Sequence, residues 1–185
     1  MNLQEVFASY PAIASKAGET GKIKPSLLTK KLFARADEQW NQLFPEELAK
    51  LNEEIANAEL HFKKAYCTPT AICYNSLGCF YVIPVKNVIW VYVRVVKEST
   101  NFIPTGKAHQ VWVVTREGER YLVCDKNTGP FKKESPADEV IQKMKSVMDT
   151  VRPGIFYGYS KEIETLVNAN LPGAVERVDN ATSAQ

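Results

Sequence analysis

The spacing of apolar residues along this chain changes twice, and the changes divide it into three zones. Residues 1–60 and 135–170 read as helical, and residues 61–128 read as strands. The clearest helix of the first zone opens at Phe44-Pro45-Glu46-Glu47. Proline suits the first helical turn, and two glutamates there favour the positive helix end. Leu48, Leu51 and Ile55 then share one face. A second helix is expected over Pro25–Leu43, with Leu28, Leu32, Ala36 and Trp40 on its apolar side. Residues 14–22 (ASKAGETGK) read as a loop.

In the middle zone, Asn75-Ser76-Leu77-Gly78 separates two apolar runs, 71–74 and 79–83, and Pro84 ends the second because it lacks a donor. The longest strand is expected over Val88–Val96. Its odd positions 89, 91, 93 and 95 are aliphatic, and its even positions are Trp90, Tyr92 and Arg94. That alternation predicts aliphatics turned inward and amphipathic residues turned outward on a half-exposed antiparallel sheet. Residues 98–106 (ESTNFIPTG) read as a loop. The runs 110–115 and 120–124 flank Arg116-Glu117-Gly118-Glu119, which predicts a hairpin.

The last zone opens on Ser135-Pro136-Ala137-Asp138, a capping serine followed by proline and an acid. Val140, Ile141, Met144, Val147, Met148 and Val151 make one apolar stripe, stopped by Pro153-Gly154. Residues 155–159 form an apolar return segment. Ser160 caps a short helix through Ile163, Leu166 and Val167, and residues 173–185 are expected to fray.

Composition narrows the chemistry. The chain has 185 residues, 45% hydrophobic and 24% charged, with a formal charge of +2. So small a charge gives no ground for nucleic acid as a partner. Two histidines exclude a multi-histidine metal site, and no cofactor is expected. Cys67, Cys73 and Cys79 recur every six residues, unlike the closer spacing of a zinc knuckle. They read, with Cys124, as small apolar side chains of a sheet. A reactive thiol would be sought at Cys73 or Cys79, and a cysteine nucleophile would need His61 or His109 beside it. No apolar stretch reaches the roughly 20 residues of a transmembrane helix, and no leader peptide is evident, so a cytoplasmic location is expected.

Three stretches carry a resemblance: Phe80 to Tyr92 (FYVIPVKNVIWVY), the hairpin Val111 to Gly118 (VWVVTREG), and Phe156 to Glu162 (FYGYSKE). They resemble bacterial pleckstrin-homology-like (PH-like) proteins of unknown function over roughly residues 61–170. The resemblance implies an α+β fold, a curved antiparallel sheet or barrel capped by a C-terminal helix. Residues 1–60 would be a helical segment packed on that 61–172 domain or supplying a homodimer contact. It implies no phosphoinositide site, because no dense Lys/Arg cluster is present.

Trp90, Tyr92, Trp112 and Tyr121 lie on neighbouring expected strands, with Arg94 beside them. Aromatics flanked by arginine are typical of interface hot spots. The expectation is therefore a non-catalytic module that docks a protein or peptide on this face or along an edge strand. The alternatives are an apolar-ligand pocket between the sheet and helix 136–151, and an enzyme using a cysteine.

Overall fold

A computed structural model describes residues 1–25, 29–101 and 103–184, so Leu28 and the neighbouring part of the expected 25–43 helix lie outside the described residues. The fold is α+β, and the chain divides into two units, Met1–Lys86 and Asn87–Gln185. The division falls after Lys86, inside the strand zone, and not at residue 60. The strand zone is cut in two where Pro84 ends a ladder and Val85–Asn87 forms a single 3-10 turn.

The first unit holds α1 (Leu3–Ser9), α2 (Pro11–Glu19), α3 (Lys30–Trp40) and α4 (Pro45–Ala56). With them go the strands β1 (Leu60–His61), β2 (Ala65–Cys67), β3 (Ala71–Ser76) and β4 (Cys79–Pro84). The expected 14–22 loop is corrected: α2 runs through Glu19. Pro11 stands in its first turn, and Ile13 and Ala17, one turn apart, are buried. The Asn52 side-chain oxygen accepts the Ala12 and Ile13 N–H groups at 3.0 and 3.3 Å, closing the start of that helix. In α4 the expected face is the observed one, with Leu48, Leu51 and Ile55 buried. The four strands form an antiparallel sheet in chain order. Its β3–β4 hairpin turns on Leu77 and Gly78, both at positive φ (53° and 76°), the backbone of a two-residue turn that glycine adopts without strain.

The second unit holds β5 (Val88–Thr100), β6 (Ile103–Thr115), β7 (Arg120–Thr128), α5 (Pro136–Met148), β8 (Phe156–Tyr157), α6 (Lys161–Ala169) and α7 (Leu171–Ser183). Its sheet runs β7-β6-β5-β8 and is not closed into a barrel. β5, β6 and β7 pair antiparallel, but β8 joins β5 in parallel. Helix α5 packs across β5, β6 and β7, burying Val140, Ile141, Met144 and Met148. Val151 lies beyond the helix end and is exposed.

Two further expectations are corrected in this unit. The 98–106 loop is mostly strand, because pairing continues through Ser99↔Pro104 and Thr100↔Ile103. The segment after 173 is helix through Ser183, with Ala174 and Val178 fully buried. Its anchors are distant in sequence. Asp179 accepts from Arg152 at 2.5 Å and from Arg116 at 2.8 Å. A Cβ at Gly154 would stand 2.2 Å from the Val178 carbonyl oxygen, so only glycine admits α7 this closely.

Candidate functional site

Strand β5 is 13 residues long, and its two halves differ. From Val88 to Tyr92 every side chain is buried, so the expected inward–outward alternation fails there. The even face is covered by the segment after β8. Trp90 Nε1–H donates to Gly158 O at 2.7 Å, Trp90 stacks on Tyr92 at 4.2 Å, and Tyr159 lies within 6.3 Å of both rings. Arg120 sits over the Trp90 ring at 5.6 Å and donates to Tyr92 Oη at 3.2 Å and to Asn168 Oδ1 at 2.7 Å. Trp90 and Tyr92 therefore do not form an exposed docking face.

The other expected residues separate. Trp112 pairs with Tyr92, is half-buried, and donates to Gln110 Oε1 at 3.1 Å. Arg94 is exposed on the same face. Tyr121 pairs with Val113, and Trp112 with Leu122, so Tyr121 points to the opposite face from Trp112. The five residues singled out by sequence are thus not one cluster.

The edge of β5 is the more informative feature. Strand β8 pairs with β5 only at Trp90 and Val91, and its last hydrogen bond is Gly158 N–H to Val91 O at 2.9 Å. Among the described residues no strand pairs with β5 outward of this point. Pairing to β6 is regular from Trp90 to Glu98, so backbone direction alternates by two. Val91 faces outward, and therefore so do the N–H and C=O groups of Val93, Val95 and Lys97. Beside this edge a groove of about 410 Å³ is lined by Val93, Val95, Ile141, Tyr157 and the polar Ser135, Asp138 and Gln142. Val95 is 45% exposed. β5 supplies the floor of the groove and α5 one wall.

Strand β7 also has an outer edge without a described partner. It is interrupted at Val123, which is extra between Leu122↔Trp112 and Cys124↔Val111, and it continues through Asp125, Lys126 and Asn127. A bulge and charges both discourage strand addition. β5 has no bulge between Val91 and Lys97, and its charged residues there are Arg94 and Lys97.

Beneath the groove lies His109, 2% exposed and the partner of Val95 in the β5–β6 register. Its Nδ1 is 2.9 Å from Ser135 Oγ and its Nε2 is 2.8 Å from Thr128 Oγ1. Ser135 in turn caps α5, accepting the Ala137 N–H at 3.3 Å. Sequence reading found Ser135 as a cap and missed its link to His109.

All four cysteines are buried. Burial pushes the Cys67 and Cys73 thiols far up and Cys79 to about 11, which keeps them protonated at neutral pH. The four lie in β2, β3, β4 and β7, as their reading as small apolar side chains of a sheet expects. Among the described residues no group of three or more His, Cys, Asp or Glu side chains is arranged to hold a metal ion, and no helix is long and apolar enough to cross a membrane. The chain matches no family model, and no curated protein or solved structure matches it.

Proposed function

We propose that this protein is a non-catalytic interaction module that binds an extended segment of a partner protein as an added strand along β5. The observation that carries this reading is the uncapped run of outward backbone groups at Val93, Val95 and Lys97 beside an apolar groove. An added strand satisfies those groups, and its alternate side chains enter the groove between β5 and α5. The fitting partner carries aliphatic residues at every second position, to meet Val93, Val95 and Ile141. In this reading β5–β7 with α5 play the part of the PH-like sheet and its closing helix, and the resemblance of residues 80–92, 111–118 and 156–162 belongs to the same proposal.

The groove volume supports a second reading. About 410 Å³ falls in the range of small-ligand sites, so a small apolar ligand between the sheet and α5 would use the same lining. The two readings differ at the backbone, because only a strand protects outward amides.

An array of extended ten-residue peptides with alternating aliphatic and polar residues provides the probe. Binders are expected to slow amide exchange at Val93, Val95 and Lys97, and Val95→Pro is expected to abolish their binding. The Val95 N–H points away from β6, so proline there removes no bond within the sheet. Peptide binding that leaves these three amides unprotected, or that survives Val95→Pro in a folded chain, overturns strand addition.

A further inference from the structure

We propose that the strand added along β5 is β5 of a second copy of this chain, paired antiparallel about Val96, so that two sheets join edge to edge. The inference rests on the strand-addition reading and names the partner.

A contact between two copies of one edge must carry that edge onto itself. Antiparallel pairing does so through a two-fold axis normal to the sheet. The open stretch of β5 begins after Val91, where β8 ends, and runs toward the turn at Asn101. Its outward groups are those of Val93, Val95 and Lys97. Pairing centred on Val96 uses the whole stretch. Val95 then meets Lys97 of the second copy, Lys97 meets Val95, and Val93 meets Ser99. Centring on Val95 would set Ser99 against Val91, whose carbonyl already accepts the Gly158 N–H at 2.9 Å. Centring on Lys97 would set Val93 against Asn101, which lies past the last β5–β6 pair, Thr100↔Ile103, at a φ of 48°.

The side chains select the same register. Arg94 and Glu98 lie on the face of β5 turned away from α5, and both are exposed. Centred on Val96, each Arg94 stands directly opposite Glu98 of the other copy, and the two Val96 side chains sit between these pairs. On the groove face, Lys97 lies opposite Lys107 within its own sheet, a like-charge pair that destabilises. Across the seam it lies opposite Val95 of the second copy, beside the groove that Asp138 of that copy lines. The surplus lysine charge thus meets an acid. The two Val95 side chains, each 45% exposed in a single copy, become diagonal neighbours at the axis. A plain aliphatic strand would answer Val93 and Val95 but neither Arg94 nor Glu98. A second β5 answers all four, and that difference is what selects the partner.

Sedimentation equilibrium of the full chain from about 1 µM to about 1 mM, the range of weak contacts of small area, is expected to show a monomer–dimer equilibrium. Amide exchange at Val93, Val95 and Lys97 is expected to slow as the dimer fills. Arg94→Glu sets two acids against each other at both ends of the seam, and Glu98→Arg sets two arginines there. Each is expected to weaken the dimer about tenfold or more. Both sites are exposed, so unfolding of each variant should match the parent's. Mixed in equal amounts, the two variants oppose acid to base at both ends, and their heterodimer is expected to form within about threefold of the parent's affinity. A chain that stays monomeric at about 1 mM overturns the second copy as partner. So does a dimer that leaves the three amides unprotected, or a mixture that associates no better than either variant alone. Strand addition itself is read separately, from the array peptides on the monomeric chain. Peptides that protect Val93, Val95 and Lys97 there keep that reading whatever the dimer does, and peptides that bind without protecting them overturn it.

Discussion

The outer edge of β4 in the first unit and the outer edge of β5 in the second face the same physical problem and meet it differently. Each is the last long strand of its sheet, rich in apolar residues, with backbone groups turned away from the neighbouring strand. On β4 two of those groups are answered by side chains of α3. Trp40 Nε1–H donates to Phe80 O at 3.0 Å, and Gln39 Oε1 accepts the Val82 N–H at 3.2 Å. Proline then ends the strand, and all six of its residues are buried. On β5 the corresponding cover stops after Val91. An unpaired apolar edge invites association, and the strand addition proposed above rests on this difference between the two edges.

Removal of the closing side chains tests this contrast most severely. Trp40→Ala empties a fully buried site, unstacks Phe80 and leaves the Phe80 carbonyl unanswered. We expect a loss of about 4 kcal/mol, read by denaturant unfolding of the full chain. A loss below about 1 kcal/mol shows that the β4 edge does not depend on α3.

Gln39→Leu is a smaller and more specific version. The side chain is 5% exposed, so leucine of similar volume keeps the packing and deletes the acceptor for Val82 N–H together with the side-chain hydrogen bond to Tyr74. The expected cost is about 1–3 kcal/mol, the penalty of buried polar groups left unmatched. Faster exchange of the Val82 amide should accompany it. An unchanged Val82 amide means that another acceptor serves that edge.

The two edges were not equally legible in the sequence. The strands, the hairpin at 116–119 and the α5 stripe followed from local period, because each depends on neighbours within a few residues. The closure of β4 depends on Gln39 and Trp40, which reach it from some 40 residues away. Local pattern placed Trp40 on an apolar helix face, and it carried no information about which carbonyl the indole would meet. The same holds for α7: its residues are polar enough to read as a tail, and its docking rests on Gly154, Arg152 and Arg116. The aromatic face failed for a related reason. Trp90 and Tyr92 alternate correctly, but the cover over them comes from Gly158 and Tyr159, brought back by a parallel strand of only two residues. The open edge was named as one of two docking modes, yet its position at Val93–Lys97 became definite only with the point where β8 ends.

The smallest expected effect on stability separates the two edges most cleanly. Val95 is 45% exposed and its side chain lines the groove, whereas Val82 is fully buried. A lysine at position 95 extends its stem along the groove and keeps its ammonium in water, so Val95→Lys should shift stability by no more than about 0.5 kcal/mol. Val82→Lys puts an unpaired charge into the core of the first unit and should prevent folding. Peptide binding by folded Val95→Lys should nonetheless be lost, because the new side chain fills the space where a partner's aliphatic residue would sit. Lysine is a residue that natural edge strands use to refuse partners. If Val95→Lys binds the array peptides as the parent does, the groove is not where they dock. If it destabilises the chain as strongly as a core substitution, the β5 edge is already closed, and the difference between the two sheets disappears.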